Sequence, residues 1–187
     1  QIRANGGSNN SYTEGGGGAV SLEYGSSSGS VLDNVMARGG YNVNEWSAGG
    51  AGTVYLYQQG VSTYGDLIVD NGTVVGRPTR LPALGVGTAA AGSSGAVLET
   101  GLASIQPYFE GHWVEITDGA TGTLRGTWRI AEIAGGTVSL EANAEDGDPI
   151  VVEGDTWQGV YRFDSLVVKG NAHLVVPEMD RITGDVT

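Results

Sequence analysis

The sequence predicts an all-β fold in which coils of about 33 residues stack on one another, and three observations carry that prediction. The segments "IRANGG", "VMARGG" and "IVDNGT" begin at residues 2, 35 and 68, so that 35 − 2 and 68 − 35 are both 33. A second strand-like segment recurs at 34 residues: "AVSLEY" starts at 19 and "TVYLYQ" at 53, with Val20 on Val54 and Leu22 on Leu56. Glycine supplies 33 of the 187 residues, while Val, Thr, Tyr and Trp dominate the apolar stretches, which is strand and turn chemistry.

Taken in order, each repeat over 1–76 is a glycine-rich turn, an alternating strand, a short loop, a second strand and an Asn/Arg-Gly corner. Strands of successive coils would lie about 4.8 Å apart with side chains alternating in and out. Glycine suits the corners because it adopts positive φ and lets backbones approach closely. Val20, Leu22 and Val35 would face inward in one coil, and Val54, Leu56 and Ile68 in the next. The alternative is a β-sandwich with a coincidental glycine rhythm.

Residues 77–97, rich in Pro, Gly, Ala and Ser, read as a connector. Over 98–160 the segments "HWVEIT", "TLRGTWRIAEI", "TVSLEA", "PIVVEGD" and "TWQGVYRFD" are short strands with hairpin-sized gaps, the pattern of an inserted antiparallel meander or small barrel. Over 161–187 the first pattern returns, with "VVKG" (167–170) lying 99 residues after "IVDN" (68–71).

The formal net charge of −12 and the nine scattered Lys and Arg leave no basic face for nucleic acid. Such acidity suits an exported protein and supplies oxygen ligands for a hard cation such as Ca²⁺. With no cysteine there can be no disulfide, thiolate nucleophile or Cys-ligated zinc. No apolar run is long enough to span a membrane. The chain starts at Gln1, which reads either as a mature product or as a piece of a longer one.

The segments "GGAGTVYLY", "YGDLIVDNG" and "YRFDSLVVKGNAHLVV" resemble the repeats of right-handed parallel β-helix proteins, large secreted or surface-attached bacterial proteins that include adhesin-like and pectate-lyase-like members. The resemblance covers roughly 1–76 and 160–187. It implies a parallel β-helix, an export route, and a stalk-like or sugar-binding use of the solenoid. Its lyase members hold Ca²⁺ on clustered acids beside a basic proton abstractor, a role that Arg38 would fill here.

Asp33 and Asp66 are one period apart and would be stacked neighbours, where a Ca²⁺ would relieve the repulsion of two carboxylates. The alternative is that both face solvent. Glu145, Asp146 and Asp148 crowd the loop "NAEDGDP", a second candidate calcium site or a solvated hairpin turn; its spacing fits neither an EF-hand nor the glycine-rich nonapeptide. Trp113, Trp128 and Trp157, beside Tyr108, Phe109 and Tyr161, read as sugar-stacking platforms or as the core of the insertion. Trp46, in the polar loop "YNVNEWSAGG", is a further stacking candidate. His112 and His173 stand without a second histidine at ligand spacing.

The first repeat begins mid-coil and neither end carries a capping helix, so the ends would meet other subunits or more of the same chain. The expected function is therefore a non-enzymatic structural module of an extracellular or cell-surface protein, a block of a fibre, stalk or surface layer. No cofactor is required, calcium being possible. The competing expectation is a carbohydrate-binding or polysaccharide-lyase-like module.

Overall fold

The computed structural model describes residues 1–8, 14–41, 48–177 and 180–187. The chain is all-β. Strands β1 (Ile2–Arg3), β2 (Ala19–Tyr24), β3 (Val35–Met36), β4 (Thr53–Gln58), β5 (Asp66–Asp70) and β6 (Thr79–Arg80) come first. There follow β7 (Val86–Thr88), β8 (Ser94–Gly95), β9 (Val97–Glu99), β10 (Trp113–Thr117), β11 (Leu124–Ala134), β12 (Thr137–Glu141) and β13 (Val151–Val152). The long β14 (Thr156–Lys169), then β15 (Leu174–Val175) and β16 (Arg181–Val186), complete the order. Two compact units result, one of residues 1–81, 162–175 and 184–187, the other of 82–161 and 176–183.

In the first unit the 33-residue spacing sets real strand register. Ile2 of β1 lies parallel to Val35 of β3, and Val20 and Leu22 of β2 lie parallel to Val54 and Leu56 of β4. The 99-residue spacing is also register: Val167, Val168 and Lys169 of β14 lie parallel to Ile68, Val69 and Asp70 of β5. Ala37, Val54 and Leu56 form a small core, with Val20, Leu22, Tyr24, Val35 and Ile68 packed against it.

The third copy departs from the period, and with it the parallel β-helix is overturned. Ile68 pairs antiparallel with Val54, while Val35 pairs with Ile2. The larger sheet holds twelve strands, parallel and antiparallel together, and no closed solenoid forms. The cause is the short connection between β4 and β5, residues 59–65. Parallel neighbours need a crossover of a dozen or more residues, whereas a short loop returns the chain antiparallel. Gly60 and Gly65, both at positive φ, make that reversal, and the Asp164 carboxylate fixes it by accepting from the amides of Thr63, Tyr64 and Gly65. The likeness to β-helix repeats is thus one of sequence pattern only.

Much of the glycine excess serves close packing. Extended segments at 4–7, 14–18, 37–40, 48–52 and 76–78 lie side by side without forming regular strands. The Gly40 N–H donates to Gly15 O (2.8 Å), Gly49 N–H to Gly40 O (3.0 Å) and Gly17 N–H to Gly50 O (2.9 Å). A Cβ at Gly49 would fall within the Gly15 carbonyl, and one at Gly52 within that of Gly18. Only bare backbone fits there.

In the second unit β10, β11 and β12 form an antiparallel meander, extended by β9 beside β12 and by the first part of β14 beside β10. Val114, Ile116, Trp128, Ile130, Val138, Leu98 and Trp157 are buried together. Each such large apolar side chain contributes about 1.5–3 kcal/mol when removed from water.

Candidate functional site

A cavity of about 170 Å³ opens in the first unit, and the corner residues of three strands converge on its mouth. Val35, Val54, Leu56 and Ile68, turned toward the small core from β3, β4 and β5, make its apolar wall together with Ala37 just after β3. Arg38 follows β3, Asp70 ends β5 and Lys169 ends β14 in register with Asp70; Asp33 comes from the single-turn 3-10 helix Leu32–Asn34.

The Arg38 guanidinium donates to the Asp70 carboxylate at 2.9 Å, and the Gly72 N–H donates to the other oxygen of Asp70 at 2.8 Å. Burial pushes the Asp70 carboxyl up, but the Gly72 amide, the Arg38 contact and the charges of Arg38 and Lys169 outweigh it and hold the group below its ordinary range. Asp70 is therefore a satisfied anion. Arg38 Nε is buried with no hydrogen-bond acceptor, and Lys169 has no ion-pair partner among the described residues. The mouth thus combines apolar surface with cationic donors that its own carboxylate does not use up.

In the second unit His112, Tyr161 and Asp180 form a buried polar cluster. The Asp180 side chain is fully buried and accepts from the amides of Leu84 (3.1 Å) and Gly85 (2.9 Å). Its carboxylate lies 3.6 Å from His112 Nε2, longer than an ordinary hydrogen bond. Burial raises the Asp180 carboxyl, yet His112 and the two amides prevail and lower it. Burial and the Asp180 charge push the Tyr161 phenol upward, and its hydroxyl donates to Pro82 O at 2.6 Å. These bonds tie residue 180 to the 82–85 turn, a fastening role.

The predicted site residues are distributed as follows. Asp33 is exposed at the cavity mouth, whereas Asp66 lies at the start of β5, opposite Ser165 and Leu56, with the Ser165 hydroxyl donating to it. The two aspartates are not ladder neighbours, because Asp33 lies in the 3-10 helix, outside any strand, and β3 pairs with β1 rather than with β5. In the acidic loop, Asn143 Oδ1 accepts from the amides of Glu145 and Asp146, and Asp146 accepts from Thr127 N–H. Gly147 O accepts from Trp128 Nε1, so the loop closes over that tryptophan; Asp148 is exposed beside it. Among the described residues no group of three His, Asp or Glu is placed to hold a metal ion.

Trp128 and Trp157 are 0% and 1% exposed, so neither ring face can meet a sugar. Trp113 is half-buried on β10, across from Arg129. Trp46 lies outside the described residues. The cavity's Lys169 and Asp70 escaped the sequence-based list, although the 99-residue spacing already set a cation over an anion. No helix among the described residues is long and apolar enough to cross a membrane. No protein-family model, curated protein or solved structure matches the chain.

Proposed function

We propose that the chain is a non-enzymatic structural module of an extracellular or cell-surface protein, and that it assembles by adding strands to the open edge of its first unit. The observation that carries this reading is the position of β2. It ends the strand order, pairing with β4 on one side and with no strand on the other among the described residues. Thr53 N–H donates to Gly18 O and Gln59 N–H to Tyr24 O. Parallel ladders alternate, so Val20, Leu22 and Tyr24 turn their backbone groups to β4 while Ala19, Ser21 and Glu23 present theirs outward. An unpaired row of this kind is a template for another strand.

The partner this edge fits is another rung of the same spacing, on a second copy or in neighbouring repeats of a longer chain. The edge strand already carries the pattern of the strand that docks on it, Val20 and Leu22 matching Val54 and Leu56. The net charge of −12 and the absence of cysteine accord with an exposed, exported setting.

Light scattering coupled to size-exclusion chromatography over a concentration series tests the reading. Self-association is expected for this chain. Ser21→Pro, which removes an outward N–H and leaves the β4 ladder whole, should abolish it without loss of fold. A monomer at every concentration, or association that Ser21→Pro leaves unchanged, overturns the reading.

A further inference from the structure

We propose that the cavity walled by Val35, Ala37, Val54, Leu56 and Ile68 binds a small monocarboxylate with an apolar body, its anionic head held by Arg38 and Lys169. Size comes first. A cavity of about 150 Å³ accepts one benzene ring, and this one, of about 170 Å³ and open at a polar mouth, matches it in size. A phosphosugar or nucleotide is too large for it. A single aromatic ring or short branched alkyl group fits.

Charge selects the head group. Of the two carboxylates at the mouth, Asp70 is already occupied by Arg38 and by the Gly72 amide. Asp33 is exposed, where water and salt screen it. What remains unmet is one buried donor, Arg38 Nε, which has no acceptor; the exposed Lys169 ammonium, without an ion-pair partner among the described residues, adds positive charge at the rim. A buried donor left unpaired is costly, and an anionic acceptor relieves that cost more fully than a neutral one. A planar carboxylate matches the guanidinium edge, and the apolar wall takes what the carboxylate carries. The site requires no metal and no reaction; it is a binding site for an amphipathic anion.

The test is a chemical-shift titration of the full, isotopically labelled chain with sodium benzoate and, in parallel, with benzyl alcohol at the same ionic strength. Saturable shifts are expected at Ala37, Arg38, Leu56 and Ile68, with benzyl alcohol weaker by about tenfold because it lacks the charge. Lys169→Gln, a change at an exposed side chain, should weaken benzoate by a similar factor and leave benzyl alcohol unchanged. Ala37→Ile fills the space and should abolish both; if that variant does not fold, the Lys169→Gln comparison decides alone. The absence of saturable shifts at these residues overturns the proposal, as does equal affinity for the two probes or benzoate binding indifferent to Lys169→Gln. None of these outcomes depends on whether the β2 edge associates.

Discussion

Gly49 and Gly25 are chemically identical and physically opposite. At Gly49 a methyl group would enter the Gly15 carbonyl, and both neighbours are backbone, which cannot rotate away. At Gly25 the nearest atom to an added Cβ is the tip of Gln59 at 3.9 Å. Gly49→Ala should therefore destabilise by roughly 1–3 kcal/mol through overpacking. Gly25→Ala should be neutral, or stabilising by about 0.4–1 kcal/mol through the unfolded chain. Urea denaturation of the two variants separates them; equal midpoints would show that the glycine segments are not packed as described. Asp33 and Asp164 form a similar pair. Both are acidic, yet only Asp164 gathers three amides.

At the level of elements, that carboxylate fastens the loop that turns β5 antiparallel to β4. Asp164→Ala should cost about 3 kcal/mol, as expected for charged hydrogen bonds lost together, whereas Asp33→Ala, at an exposed side chain, should stay within about 0.5 kcal/mol. Thermal or denaturant unfolding of both variants checks the contrast. This element also marks where sequence reasoning stopped. The pairings of β1 with β3, β2 with β4 and β5 with β14 were legible as 33-, 34- and 99-residue spacings, because parallel register repeats apolar positions at constant offset. The reversal at β5 was not legible. An alternating strand reads the same whichever way it runs, and "IVDNGT" repeats its predecessors regardless of direction. The cavity was half legible: Arg38 and Asp33 drew notice as charges near corners, and the 99-residue spacing set Lys169 over Asp70, but no spacing showed that the corner after β3 brings Arg38 onto Asp70. For Trp128 the core reading is the one that holds, although Gly126, Thr127 and Trp128 are buried in succession and break the alternation that sorts core from surface.

On the scale of the whole molecule, the acidic composition and the folded structure make a joint statement about pH. Asp70, Asp118 and Asp180 all have carboxyls held below their ordinary value of 3.8. At Asp118 the amides of Thr121 and Ala120 are the leading cause, and Arg125 adds its charge. Folding lowers these values, so their stabilisation is complete above 3.8 and is lost as acidification carries the pH down through the folded values. The denaturant midpoint should stay level through neutral and mildly acidic pH and fall below that value. Asp180→Asn should be less stable at neutral pH and show a smaller acid-induced drop. A wild-type midpoint that rises on acidification would contradict the assignment.

The stacked glycine segments have a spectroscopic consequence. Residues 37–40 and 48–52 belong to no helix or strand, yet Gly40, Gly49 and Gly52 are buried and their amides are donated to neighbouring carbonyls. Circular dichroism would count them as unordered, while deuterium exchange should find these amide protons among the slowest to leave. Part of what the spectrum reports as coil in this chain would then be rigid interior.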